Sequence, residues 1–433
     1  MSPRAARLAA GVQLAVMLCF PTLSCRGSGD PGRLIFSGSA VGREAEVVRS
    51  QLARWSAERG VEVEIRATPD SADQRHQLYV QWLNARSPEP DVLQLDVVWT
   101  PEFAAAGWLL PLDRFGPDLA DFFPASIEAN RWNGALYGLP WFVDVGMLYW
   151  RTDLLARAPA TFDELAAAAR DAMRSPGVRF GLVWQGARYE GLVTVFLEHL
   201  GGFGGRILDD NGAVVVDSEA SVRALTWMRD AIHVDGIVPA AALTWHEEET
   251  RFAFQNGAAA MMRNWPYAHA LLESADSAVA GRFAVAAMPA VRGAGEPTAA
   301  LGGSQLAVNA RSRRPDEAWA LVEFLTAPEQ MLERARVVGQ LPPRPALYEQ
   351  GEGLEGALGI APEAAREIVA AAKPRPATPV YTQLSEILQI RLHRALTRQQ
   401  EPRAALEDAA REMRALLERT GLAGGGRLRS HAG

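Results

Sequence analysis

A chain of 433 residues with 48% hydrophobic and 22% charged residues has apolar material for two packed domains and too much for a disordered tail or a fibre. Its formal net charge is -7 and no basic cluster is interleaved with aromatics, which excludes nucleic acid as the main partner. The single lysine, Lys373, among many arginines carries no functional weight.

Arg4 and Arg7 lead into LAAGVQLAVMLCF, an apolar stretch too short to span a bilayer, and then PTLSC, the pattern of an export signal. Cys25 follows Leu23 and Ser24 and precedes the polar RGSGDPG, so it resembles the lipidated cysteine of a bacterial lipoprotein leader, with Thr22 in place of the usual leucine. Residues 1–32 are expected to be leader and linker. Cys19 and Cys25 both fall there, leaving the exported body no cysteine for a disulfide.

RLIFSGSA then reads as a strand, and Glu44 to Arg59 as a helix in which Val48, Leu52 and Trp55 recur at three- and four-residue spacing. VEVEIRA alternates as a strand should, Asp73 to Asn84 is helical, and DVLQLDVV is the next strand. Strands alternating with helices predict an α/β fold with mainly parallel sheets, whose ligands bind beyond the carboxyl ends of the strands, where Asp96 and Trp99 lie. RFGLVWQG and RFAVAAMPA are further strands, with a helix over Ser218 to Val234. LGGSQLAVNARSRRPDEAWALVEFLTAPEQM is strand, turn and helix, the last begun by Pro315 and Asp316. Proline-rich stretches at Pro289 to Pro297, Pro342 to Pro345 and Pro374 to Pro379 mark connections, and 423–433 reads as a disordered tail.

Catalytic signatures are absent. No HExxH or GxSxG occurs, GGFGGR fails GxGxxG and lacks the Lys-Ser/Thr of a phosphate loop, and WHEEE reads as a solvated helix start. No cofactor or metal is expected. What recurs is carboxylate beside aromatic: Asp96 with Trp99, Phe142 with Asp144, Trp265 with Tyr267. A sugar ring carries hydroxyls around its edge and C–H bonds on its faces, so its site wants charged acceptors in the ring plane and aromatic plates above it. Each aromatic also has an ordinary place in a core, and Asp96 could be a helix cap.

DVLQLDVVWTPEFAAAGWLLPLD, LPWFVDVGMLYWRTDLL, GLVWQGARYEGLV, RNWPYA, LGGSQLAVN and PRPATPVYTQLSEILQ resemble, in this order, the trehalose/maltose-binding proteins of ABC importers, from about Leu34 to Leu422. The resemblance implies a two-lobed periplasmic-binding-protein-like α/β fold with a hinge and a ligand cleft between the lobes. The first lobe is expected over 33–142 plus 302–342, the second over 145–300 plus 343–422. It implies a disaccharide ligand, ABC permease subunits as partners, a monomer, a periplasmic or membrane-tethered location and no catalysis. Residue by residue, it implies ligand contacts at Glu44, Arg75, Asp96, Phe142, Asp144, Trp265, Gly302, Gly303, Arg375 and Tyr381.

Two positions depart from the pattern. Phe142 stands where relatives tend to carry tyrosine, and Ser304 where they often carry a tryptophan; Trp141 is a candidate substitute plate. The alternative reading is an exported glycoside hydrolase using Asp96 and Asp144 as paired acids, or a receptor of the same fold for another oligosaccharide or polyol.

Overall fold

The computed structural model describes residues 33–38, 43–69, 72–349, 354 and 362–422. Cys25, the leader and the 423–433 tail lie outside the described residues. Among the described residues eleven strands run in chain order: β1 (Arg33–Gly38), β2 (Glu62–Ala67), β3 (Val92–Asp96), β4 (Arg131–Trp132), β5 (Ala135–Leu136), β6 (Leu139–Val145), β7 (Met147–Arg151), β8 (Phe180–Val183), β9 (Ala259–Asn264), β10 (Phe283–Ala286) and β11 (Leu301–Val308).

They form two α/β lobes. One is built on a sheet of order β2-β1-β3-β11-β6, the other on a sheet of order β10-β7-β9-β8, while β4 and β5 make a separate hairpin. β1 is buried from Leu34 onward because helices cover both sheet faces, which is why it reads as a nearly continuous apolar run. Val48, Leu52 and Trp55 of helix Arg43–Arg59 pack in the core of this lobe with Phe36, Val92 and Leu306.

The sheets are mixed rather than mainly parallel, which corrects the sequence expectation. β1 pairs parallel with β2 and β3, and β8 with β9, but β11 is antiparallel to both β3 and β6, and β7 to both β9 and β10. The physical reason is connectivity: β11 enters the first sheet from the other lobe, without the helical crossover that makes neighbouring strands parallel.

The topology aims one edge of each sheet at the other. Asp96 at the carboxyl end of β3 pairs with Ser304, whose other partner is Phe142, and Asp144 near the end of β6 pairs with Gly302. In the second sheet the end of β9, Asn264, pairs with Met147 at the start of β7. The chain passes from β6 to β7 through Gly146 alone and returns through Ala299 to Leu301, which bond to Lys373. Leu341 pairs with Val143.

Helices Pro315–Leu325 and Pro328–Val338 complete the first lobe's core. Helices Tyr381–Leu396 and Pro402–Arg419 pack with Glu190–Gly202 and Glu219–His233 in the second. Among the described residues no helix is long and apolar enough to cross a membrane, and no group of three His, Cys, Asp or Glu is placed to hold a metal.

Candidate functional site

Side chains from both facing edges converge where the chain crosses between the lobes. From the first lobe come Glu44, in the opening turn of its helix, Asp96 after β3 and Asp144 near the end of β6. All three keep part of their surface in solvent. Burial, then the negative charges of Glu44 and Asp96, push the Asp144 carboxyl up to about 7 against the pull of Arg263 and Arg334. No hydrogen bond holds Asp144 among the described residues. A recessed carboxylate in that condition is an acceptor waiting for a donor.

Asp96 is held differently. Its Oδ1 accepts from Val98 N at 3.2 Å and from Arg375 Nη2 at 3.1 Å. Arg375 Nη1 donates to Glu190 Oε1 at 2.8 Å, Tyr381 donates to the same oxygen at 2.6 Å, and the Ser385 hydroxyl donates to Glu190 Oε2. Burial raises the Glu190 carboxyl, and the Arg375 guanidinium and the two hydroxyls pull it back. Arg375 thus couples the end of β3 to the start of helix Glu190–Gly202 across the lobes. Glu190 was not among the residues singled out from the sequence, although RYEGLV belongs to one of the quoted blocks.

Glu44 is also engaged. Its Oε1 accepts from Arg334 Nη2 at 2.9 Å and from Gln340 Nε2 at 3.2 Å. Arg334 is buried, its guanidinium carbon 3.7 Å from the centre of the Trp141 ring and 5.5 Å from that of Phe142. Trp141 is 1% exposed and packs edge-on to Phe36, so it is core, and the expectation that it replaces a missing plate is overturned. Phe142 is nearly buried beneath the same arginine.

The aromatic plate that does reach the site is Trp265, just after β9. Its ring edge would lie 3.2 Å from a Cβ at Gly302, next to the Asp144 side chain. Its Nε1 donates to Glu247 Oε1 at 3.4 Å. Gly303, at φ +112°, is in a conformation that only glycine adopts readily, and a Cβ there would come within 2.7 Å of Val143 Cα and overlap the Phe142 carbonyl oxygen.

Arg75 is not brought into this group. It is buried, with its guanidinium 5.3 Å from the centre of the Trp99 ring and Nη1 donating to Pro69 O at 3.4 Å. Trp99 is itself core, stacked on Phe103 and edge-on to His76 and Tyr79, so the indole that follows Asp96 in the sequence is packed inside the lobe. The hydroxyl of Ser304 accepts from Gln94 inside the sheet.

A crevice of about 950 Å³ also separates the lobes, walled by Val97, Ala129, Leu200, Leu208 and Lys373 among others. Of the residues singled out from the sequence, only Arg375 reaches its wall. Phe142, Gly302 and Gly303 border a pit of about 10 Å³, room for no more than one water.

The bacterial extracellular solute-binding protein family matches residues 43–332. A probable ABC transporter-binding protein of Deinococcus radiodurans is 36% identical over 86% of this chain and 91% of its own length. A maltose-bound structure of MalE3 from T. maritima is 40% identical with a TM-score of 0.84, covering 89% of this chain and 100% of that one. A solute-binding protein from Thermotoga lettingae, bound with α-D-tagatose, is 25% identical with a TM-score of 0.80, over 89% of this chain and 100% of that one. These are binding proteins, not enzymes.

Proposed function

The chain belongs to the bacterial extracellular solute-binding proteins, and on that premise we propose that it captures a disaccharide of trehalose or maltose type and delivers it to an ABC permease. Sugar binds between the lobes, which close over it by rotation about the crossing strands. The observation that carries this reading is the meeting of Asp144, without a partner among the described residues, with the Trp265 ring at Gly302. An acceptor for hydroxyls lies beside a plate for C–H faces.

In this reading Asp96, Asp144 and Glu44 accept from hydroxyls, Arg375 and Tyr381 complete the polar contacts, and Gly302 and Gly303 let the ring approach the strand. Arg75 and Phe142 act from behind, as supports. The lobes divide at about 33–142 plus 302–342 and 145–300 plus 343–422, with Asp144 on the strand that leaves the first lobe. The protein works as an exported monomer tethered by lipid on Cys25. A disaccharide of about 23 non-hydrogen atoms at roughly 0.3 kcal/mol per atom gains about 7 kcal/mol, a micromolar Kd.

The two departures from the family pattern favour a second ligand within the same class. Ser304 is turned into the sheet and Phe142 lies under Arg334, so one wall offers fewer stacking contacts, as suits a shorter sugar or a polyol. A panel of disaccharides, monosaccharides and polyols, read by tryptophan fluorescence and calorimetry, tests both. Binding of trehalose or maltose at micromolar Kd is expected; no response to any carbohydrate removes the reading.

A further inference from the structure

The second lobe contains an ion pair with no solvent exposure on either side chain: Glu198, in helix Glu190–Gly202, and Arg263, in β9. Arg263 Nε donates to Glu198 Oε2 at 2.8 Å, Nη2 donates to Oε1, and Nη1 donates to Gln185 Oε1 at 3.1 Å. A pair so fully withdrawn from water is a poor source of stability, because desolvation offsets the attraction and apolar residues of similar volume often serve as well. Its neighbours suggest what else it does.

Two of those neighbours are the strands on which the chain crosses between lobes. Gly146, the only residue between β6 and β7, lies against the pair: a Cβ there would overlap the Glu198 carboxylate and come within 2.6 Å of Arg263 Nη2. On the returning strand, Ala300 N donates to Glu198 Oε1 at 3.4 Å. The third neighbour is Trp265. The Arg263 guanidinium carbon is 3.9 Å from the centre of its ring, so one face of the indole rests on a buried cation.

We propose that the Glu198–Arg263 pair is a positioning device that references the Trp265 plate to both crossing strands. It thereby sets ligand affinity without touching ligand. The bidentate fork fixes the guanidinium plane against the carboxylate, and that plane fixes the tilt of the ring above it. Because the same carboxylate abuts Gly146 and Ala300, the ring is registered against the hinge and, through it, against Gly302 and Asp144. The inference rests on Trp265 being the ligand's plate.

Arg263→Lys tests it, since lysine keeps the charge opposite Glu198 but offers no planar fork. Without ligand, the near-ultraviolet circular dichroism of Trp265 is read as the difference between each background and its Trp265→Phe version. That signal is expected to fall by about half or more while urea unfolding stays cooperative, and the Kd for the tightest-binding sugar of the wild type is expected to rise about tenfold. An unchanged Kd in a folded variant overturns the proposal, with or without a changed Trp265 signal, and so does an unchanged signal.

If Arg263→Lys does not fold, the apolar double variant Glu198→Leu/Arg263→Met is read the same way. If that also fails, relaxation of the Trp265 indole N–H in the wild type decides: order like the rigid backbone supports the proposal, and fast free motion overturns it. Should the wild type bind no sugar, the function proposed above fails, while the ligand-free signals still judge the positioning.

Discussion

Arg375 reaches Asp96 from the other lobe, its Nη2 donating to Oδ1 at 3.1 Å while its other terminal nitrogen holds Glu190. Arg375 is buried, and removing it strands the Glu190 carboxylate without its cation. Arg375→Met should therefore cost about 3 kcal/mol in urea unfolding and, by cutting a tie between the lobes, raise the ligand-free radius of gyration in solution scattering. Neither change would be seen if the contact is absent in solution.

Asp96 Oδ1 is occupied by Val98 N and Arg375, and its second oxygen has no partner among the described residues, so it is free to accept from a hydroxyl. Asp96→Ala is expected to weaken sugar binding at least about tenfold, roughly 1.4 kcal/mol, with the fold intact. Titration calorimetry measures it, and an unaltered Kd takes Asp96 out of the site.

Asp144 gives a pH signature. Its carboxyl sits at about 7 in the folded protein against an ordinary 3.8, so over this interval the folded chain keeps a proton that the unfolded chain has released. The stability drawn from this group is complete below about pH 4 and is lost as pH rises through 7. Asp144→Asn should match the wild type near pH 4 and unfold at a higher temperature than the wild type at pH 8. Sugar hydroxyls donating to the carboxylate should lower its pKa, releasing up to roughly half a proton on binding at pH 7. Calorimetry in buffers of different ionisation enthalpy reads that release directly.

The adjacent glycines should respond differently to alanine. At Gly303 the positive φ and the backbone of Phe142 and Val143 leave no room, so Gly303→Ala should destabilise by about 3 kcal/mol. At Gly302 the new methyl meets the edge of Trp265 at 3.2 Å and touches the Asp144 Cβ at an ordinary 3.4 Å. Gly302→Ala should leave the urea midpoint nearly unchanged but displace the indole, weakening sugar binding and shifting tryptophan emission.

Periodicity made much of the fold legible. Val48, Leu52 and Trp55 announce a helix buried on one side, and the helix is there. Strand direction was hidden, because alternation is the same whichever way the neighbour runs, and β11 pairs with β3 across two hundred residues of intervening chain. In the site, Asp96, Asp144, Trp265 and Gly302 do come together, whereas Arg75 lies on Trp99.

Glu190, Glu198, Arg263 and Arg334 are not legible from the sequence, since a charged letter looks alike on a surface and in a core. Two of them left a trace: Glu198 interrupts the apolar VTVFLEHL, and Arg334 shares the buried side of its helix with Met331 and Ala335. Which tryptophans were core was equally invisible, because Trp99 and Trp141 differ from Trp265 only in what packs around them.

The interior position of β11, between β3 and β6, has a consequence for synthesis. When Asp96 leaves the ribosome, β1, β2 and β3 can already join, yet the strand that must flank β3 emerges only about two hundred residues later. Until then β3 presents bare amides and carbonyls along one side. The first sheet is therefore completed only after all four strands of the second have been made, and the nascent polypeptide stays open for most of its translation.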